Sequence, residues 1–478
     1  MNQSQEKTGL FQKLKNLIVP DRNLGEVDLT LEIHLQGHEI RVLNKGTPLQ
    51  VLLGQTGQRL QLHPNPSIRT PIGEHPRCLL IIDPDRYFNE ISGFIRLEHG
   101  KTLLLGNSDE EQKTIFNYPN GVAQRHLTIT HDGDAIVFKD LNTDAGTYIS
   151  TLGESPEVNL ITENRQNGLS QIERIFGGPI QALSYRKALQ AIRSVNTILE
   201  DAPCRPKDSR GLPGGTVQIP EALTPIIVGD LHGQVDNLLK ILTENNFLPS
   251  LERKEACLII LGDAVHSERD GQMEEMHPSM LMMDLIFRLM IHFPEQIFYI
   301  RGNHDSFSAD VRKASVPQGL LWEKYLRATR GEQYQSEMQR FYEQIPVIAL
   351  SKEFIACHAA PPKAKVNLEL LINTHQYPGL VKELIWNRLQ RPNYPAGYTK
   401  GDVKRFRKAL DLDSEIPFIV AHNPLNQDDS IWLHAGEINN HHIVFSGRPH
   451  CIAVFTRIGG QMVPLLFPTE PILERAQA

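Results

Sequence analysis

The chain has no pair of cysteines two residues apart, and its five cysteines (Cys78, Cys204, Cys257, Cys357 and Cys451) are widely scattered. That excludes a zinc ribbon and makes a poor disulfide framework, so a reducing, cytoplasmic compartment is expected. No apolar run reaches the roughly 18–20 residues needed to span a bilayer. The N-terminus, MNQSQEKTGLFQKLKNLIVP, lacks the long apolar core of a cleavable secretory signal. There is no long basic run, and the formal net charge of -7 argues against a nucleic-acid partner. Internal repeats and low-complexity tracts are also missing. What is present is an ordinary globular balance, 40% hydrophobic and 22% charged. At 478 residues the chain is too long for one core, so two or three domains are expected.

Residues 1–26 read as a helical tail. Leu10, Leu14, Leu17 and Ile18 share a helical face beside Lys13 and Lys15, which suits docking on the first domain or a weak membrane or partner contact. Residues 27–155 mix branched apolar and polar residues in short stretches punctuated by Gly, Asn, Asp and Pro, the pattern of an all-β sandwich. Residues 156–222 read as a helical linker. A helix over 181–201 carries Ala182, Leu189, Ile192 and Ile198 on one stripe, and the Pro- and Gly-rich APCRPKDSRGLPGGTVQIP follows. From 223 to 470 apolar strands alternate with helical stretches. Val235, Leu238, Leu239 and Leu242 mark the first helix, and the alternation indicates a layered α/β domain. Met280, Met282, Met283 and Met290 on a later helix read as core filler.

Each of five apolar strands in this half ends in a metal-ligand type. PIIVGD leads to Asp230 and His232, CLIILGD to Asp263, and QIFYIRGNHD to Asn303 and His304. FIACH ends at His358 and PFIVAHN at His422. Ligands of α/β sheets bind outside the carboxyl ends of the strands, so these side chains should converge on one crevice. Carboxylate, imidazole and amide donors together suit Mn, Fe or Zn. Asp263 is the natural bridge between two unequal ligand sets. A lone GDxHG turn or core histidine would carry little weight; five ligands in order carry much more.

These motifs, GDLHG, GDAVH, RGNHD, ACHAAPP and VAHNP, with FSGRPHC near the end, resemble those of the phosphoprotein phosphatases, a branch of the calcineurin-like metallophosphoesterases. The resemblance covers about residues 223–468. It implies two divalent metal ions: Asp230 and His232 hold one, Asn303, His358 and His422 the other, and Asp263 bridges. It further implies His304 as general acid and Arg301 as phosphate clamp. Trp386-Asn387-Arg388 is similar to the WNR segment of bacterial and phage members and gives Arg388 as a second clamp. The implied reaction is in-line attack on phosphorus by a metal-activated hydroxide, with a phosphorylated protein as substrate. Two positions depart from the family's GDxVDRG: His266 stands where an aspartate orients the catalytic histidine, and Ser267 where an arginine binds phosphate, with Arg269 two residues along. Loss of a clamp costs transition-state stabilisation. Two alternatives stay open: a nucleotide or dinucleoside polyphosphate hydrolase of the same superfamily, and a binding scaffold whose catalytic half is vestigial.

A second resemblance lies over about residues 76–155. Leu105-Gly106-Asn107, Gln124-Arg125-His126-Leu127, Asp140-Leu141-Asn142 and Ala145-Gly146-Thr147 look like the loops of a forkhead-associated (FHA) domain, a β-sandwich that reads phosphothreonine. Arg125 and Thr147 are the residues it would offer a phosphopeptide. Asn107, Gln124 and Ala145 replace residues usual for that role, and only Arg125 brings local charge. A sandwich that binds a partner protein without reading phosphothreonine is therefore expected, with His126 and Gly146 holding the loops.

Overall fold

The computed structural model describes residues 32–43, 47–54, 59–64, 78–81, 84–108, 118, 121–133, 135–153 and 157–473. The tail expected over residues 1–26 lies outside them. The chain divides into two compact units, Met1–Ile82 with Leu97–Val158, and Asp83–Arg96 with Asn159–Ala478.

The first unit is built from antiparallel sheets. In one, Ile33–Leu35, Thr147–Thr151, Leu49–Leu53, Arg59–Pro64 and Cys78–Ile81 lie side by side in that order. In the other the order is Glu39–Leu43, Ala135–Asp140, Leu127–Asp132 and Thr102–Leu105. Alternate residues are buried, Leu49, Val51 and Leu53 on one strand and Leu127, Ile129 and His131 on another, as a strand with one covered face requires.

The second unit carries two mixed sheets. In the first, Ile297–Tyr299, Ala256–Ile260 and Thr224–Val228 run parallel, and Cys451–Ile458 and Gln461–Pro468 complete it antiparallel. The second has the order Thr216–Gln218, Ile348–Leu350, Ile355–Cys357, Phe418–Val420, His441–Val444 and Ile431–Trp432. Ile227, Ile259, Leu261, Ala356, Ile419, Val444 and Phe455, drawn from both sheets, pack into one cluster. The strand Ala256–Ile260 is buried at all five positions, which explains its unbroken apolar run. Leu384, Val403 and Phe406 cover part of the second sheet from helices. Met280, Met282, Met283 and Met290 are buried on the helix His277–His292, as core filler should be.

Two expectations about boundaries differ from what is observed. Residues 83–96, read with the β-rich half, belong to the second unit. There Phe94 packs on Phe467 at 5.0 Å between ring centroids, and the Ser92 N–H donates to Asn245 Oδ1 at 3.0 Å. The segment read as a linker is packed into the same unit. The helix Tyr185–Glu200 docks on Gln318–Gln344, where Asn196 Nδ2 donates to Glu337 Oε2 at 2.9 Å. Beyond it Arg205 is buried, its Nε donating to the Gly214 carbonyl at 3.0 Å. Proline and glycine end the helix there without leaving the chain free, because the buried guanidinium finds backbone acceptors. Among the described residues no helix is long and apolar enough to cross a membrane.

Candidate metal centre

Tight turns at the strand ends aim the ligands. Thr224–Val228 runs into Gly229 and Asp230, and a Cβ at Gly229 would collide with the Val444 carbonyl. Ala256–Ile260 runs into Gly262, which has a φ of +86° and would collide with the backbone at Gly302. Only glycine fits such close backbone approaches. Three candidate ligands themselves have positive φ: His232 at 45°, Asp263 at 49° and His422 at 60°. Left-handed backbone at non-glycine residues is strained, and at these three positions it accompanies side chains that converge on one spot.

Two groups of donors result. Asp230, His232 and Asp263 place ligand atoms within 4.8 Å of one another, and so do Asp263, His358 and His422. Asp263 belongs to both. His358 Nε2 lies 3.3 Å from Asp263 Oδ2 and 2.9 Å from Asn303 Oδ1, which brings Asn303 into the second group. The outer ring nitrogens are held by backbone carbonyls, His358 Nδ1 by Leu261 at 2.6 Å and His232 Nδ1 by His266 at 2.9 Å. That leaves each Nε2 facing the centre, the usual way a protein orients a ligating imidazole.

The electrostatics fit a cation site. Burial opposes charge throughout, yet Glu268, Asp230 and Asp263 raise His232 to about 10, and Asp263 and Asp230 raise His358 to about 9. Asp263, against its burial, is held well below the usual carboxylate range by His358 and His304. His422 Nε2 is buried with no hydrogen-bond partner. Buried carboxylates, imidazoles aimed at one point and an orphaned ring nitrogen together fit divalent ions.

The other expected residues fall around this centre. His304 Nδ1 sits 3.0 Å from His266 Nδ1, and the His304 N–H donates to Asp263 Oδ1 at 2.7 Å. His266 thus meets His304 ring to ring, as a neutral imidazole whose pKa burial drives well down. Ser267 is buried and accepts from the Arg269 N–H at 3.3 Å. Arg269 answers electrostatically to Asp236. Arg301 is largely enclosed, its Nε unpartnered, and it lines a cavity of about 610 Å³ with Asn303 and Trp386. Arg388 Nη1 donates to the His422 carbonyl at 3.4 Å.

Two charged residues near the ligands were not singled out from the sequence. Glu268 Oε1 lies 3.7 Å from His232 Nε2 and 2.7 Å from Lys313 Nζ. Arg448 stacks on Phe445, whose ring lies 5.6 Å from that of His232. The FSGRPHC segment pointed to the loop but not to this side chain.

In the first unit, Arg125 is exposed. Thr147 is fully buried and its hydroxyl donates to Asp140 Oδ2 at 2.9 Å, so it offers a phosphopeptide nothing. His126 is buried between the Ala123 N–H, 3.2 Å from its Nδ1, and the Gly146 carbonyl, 2.9 Å from its Nε2.

Residues 223–447 match the family model for the calcineurin-like phosphoesterases. An 86-residue stretch is 36% identical to serine/threonine-protein phosphatase PP1-delta of Caenorhabditis elegans, over 18% of this chain and 24% of that protein. A stretch of 145 residues is 28% identical to serine/threonine-protein phosphatase with EF-hands 2 of Mus musculus, over 30% of this chain and 17% of that protein. The matches thus span a quarter or less of these relatives' own length. A solved protein serine/threonine phosphatase from Saccharomyces cerevisiae aligns over 60% of this chain and 90% of its own, at 16% identity and a TM-score of 0.45.

Proposed function

With a calcineurin-like metallophosphoesterase domain in the C-terminal half as premise, we propose that this chain is a metal-dependent phosphoprotein phosphatase that hydrolyses phosphomonoesters of serine, threonine or tyrosine. The observation that carries the reading is the pair of donor groups sharing Asp263. Asp230, His232 and Asp263 would hold one divalent ion, and Asp263, Asn303, His358 and His422 the other; manganese, iron and zinc all suit the donors. Ions held there supply Lewis-acid charge for the phosphoryl oxygens and acidify a water molecule.

The protein's own groups do the rest. Arg301 and Arg388 reach the Asn303 and His422 side of the centre, where their guanidinium groups bind phosphoryl oxygens through charge-assisted hydrogen bonds. His304 keeps Nε2 for the leaving oxygen because Nδ1 is engaged by His266. A proton delivered there lets an alkoxide leave as an alcohol. The similarity to serine/threonine-protein phosphatases supports a protein substrate.

The test is hydrolysis of a phosphothreonine peptide with added manganese, comparing the wild-type chain with Asp263→Asn. We expect turnover that a chelator abolishes and that Asp263→Asn lowers by at least about 100-fold. A metal-loaded wild type that leaves phosphopeptides intact but cleaves a dinucleoside polyphosphate would replace this reading with a nucleotide hydrolase. A chain that takes up no metal would leave only a binding scaffold.

A further inference from the structure

The loop that closes the site on its His232 side is fastened with unusual care. The Ser446 N–H donates to the Asp230 carbonyl at 3.0 Å, and the Gly229 N–H donates to Ser446 Oγ at 3.0 Å. Asn237 Nδ2 donates to the carbonyls of Ser446 and Arg448, at 2.7 Å and 3.1 Å. Asp230 is a ligand, so the backbone of residues 446–448 is positioned by the same strand end that positions the metal site.

This loop carries one cationic side chain, Arg448. Its guanidinium lies 4.6 Å from the centre of the Phe445 ring, which fixes its plane. Three bonds fix its position: Nε donates to the Asp429 carbonyl at 3.3 Å, Nη1 to Gln427 Oε1 at 3.0 Å and Nη2 to the Asn426 carbonyl at 2.6 Å. A guanidinium has five N–H donors, so one N–H on each terminal nitrogen is left over. Among the described residues no carboxylate takes them; Glu268, Asp230, Asp428 and Asp429 act on Arg448 only through space. The result is a rigid, buried cation with two N–H donors left over, on the loop beside the first donor group.

The remaining clamps lie elsewhere. Arg301 adjoins Asn303, and Arg388 adjoins His422, both ligands of the second group. Ser267, where the sequence pattern leads one to expect an arginine, brings no charge.

We propose that Arg448 binds the phosphoryl group from the His232 side of the centre, supplying from the 445–448 loop the charge that Ser267 does not provide. This rests on the phosphatase reading above and adds a substrate-touching residue to it. Two N–H donors on a planar fork match two oxygens of a phosphoryl group. The anchored loop means that little ordering is needed when the anion arrives.

The test uses the full chain loaded with manganese, with inorganic phosphate as probe and calorimetry as readout. Hydrolysis of a phosphothreonine peptide and manganese stoichiometry are measured alongside. Arg448→Gln should bind phosphate about 10- to 100-fold more weakly and lose a similar factor in kcat/KM, with two manganese ions retained. Arg448→Lys, which keeps the charge but loses the fork, should fall between. Unchanged phosphate affinity in Arg448→Gln with metal retained would overturn the proposal. So would loss of manganese in both variants, which would make Arg448 a strut for the loop. A wild type that binds manganese and phosphate but cleaves no phosphopeptide would sink the phosphatase reading alone; the phosphate affinities would still decide the role of Arg448.

Discussion

His304 faces a neutral imidazole, His266, where the sequence motif leads one to expect a carboxylate. Burial holds both rings below their ordinary pKa, although Asp263 pulls the other way, so the contact between the two Nδ1 atoms joins two neutral imidazoles. Such a partner orients the ring but gives little support to its cationic form. The role of His304 should therefore show most where the leaving group most needs a proton. His304→Ala should lower hydrolysis of a phosphoserine peptide by about 100-fold or more. Nitrophenyl phosphate, whose leaving group departs as an anion, should lose far less. His266→Ala, which removes only orientation, should cost the peptide reaction roughly tenfold. Equal losses on the two substrates in His304→Ala would take away its role as acid.

Strands and helices connect this chemistry to the scaffold, and here the sequence was partly legible. The five strands could be read because each is a short apolar run that leads into a candidate ligand, a local pattern that needs no knowledge of partners. The alternation of strands and helices after residue 223 was readable for the same reason. The packing of residues 83–96 into the second unit was not, since Phe94 and Ser92 meet Phe467 and Asn245, partners far away in the sequence. Glu268 and Arg448 were missed likewise: each looks like a loop charge until folding sets it near His232. The helix Val235–Leu242 shows a further element-scale feature. Its Lys240 is buried, with Nζ 2.7 Å from both Glu244 and Glu470, and Arg165 joins the same carboxylates. Two cations balance two anions. Lys240→Met would leave one carboxylate uncompensated, and we expect a stability loss of about 3–5 kcal/mol, read from the urea midpoint of the second unit. A loss under about 1 kcal/mol would mean that Arg165 alone suffices.

At the scale of the whole molecule, acid should act through histidines far from the centre. Burial pushes His441 and His442 down to about 3 and His375 down to about 4 in the second unit, and His63 down to about 4 in the first. His441 Nε2 is bonded to the Tyr398 hydroxyl at 2.8 Å, and His375 Nε2 to the Ile345 carbonyl at 3.0 Å, both inside packed surroundings. An unfolded chain takes up protons on such residues below about pH 6.5, while the folded chain refuses them until about pH 3–4. The unfolded state then binds more protons, so stability must fall as the pH drops through that window. Each histidine contributes a slope of up to about 1.4 kcal/mol per pH unit. Above pH 7 the same residues are neutral in both states and contribute no slope. Metal ligands also titrate, so the comparison that isolates this effect is the wild-type chain against the double variant His441→Gln, His442→Gln, both with chelator. Urea unfolding between pH 7 and pH 5 should steepen the loss in the wild type relative to the variant. Parallel curves would show that these two imidazoles accept protons in the folded state, and that their enclosure between Tyr398 and Phe455 is looser than the packing implies.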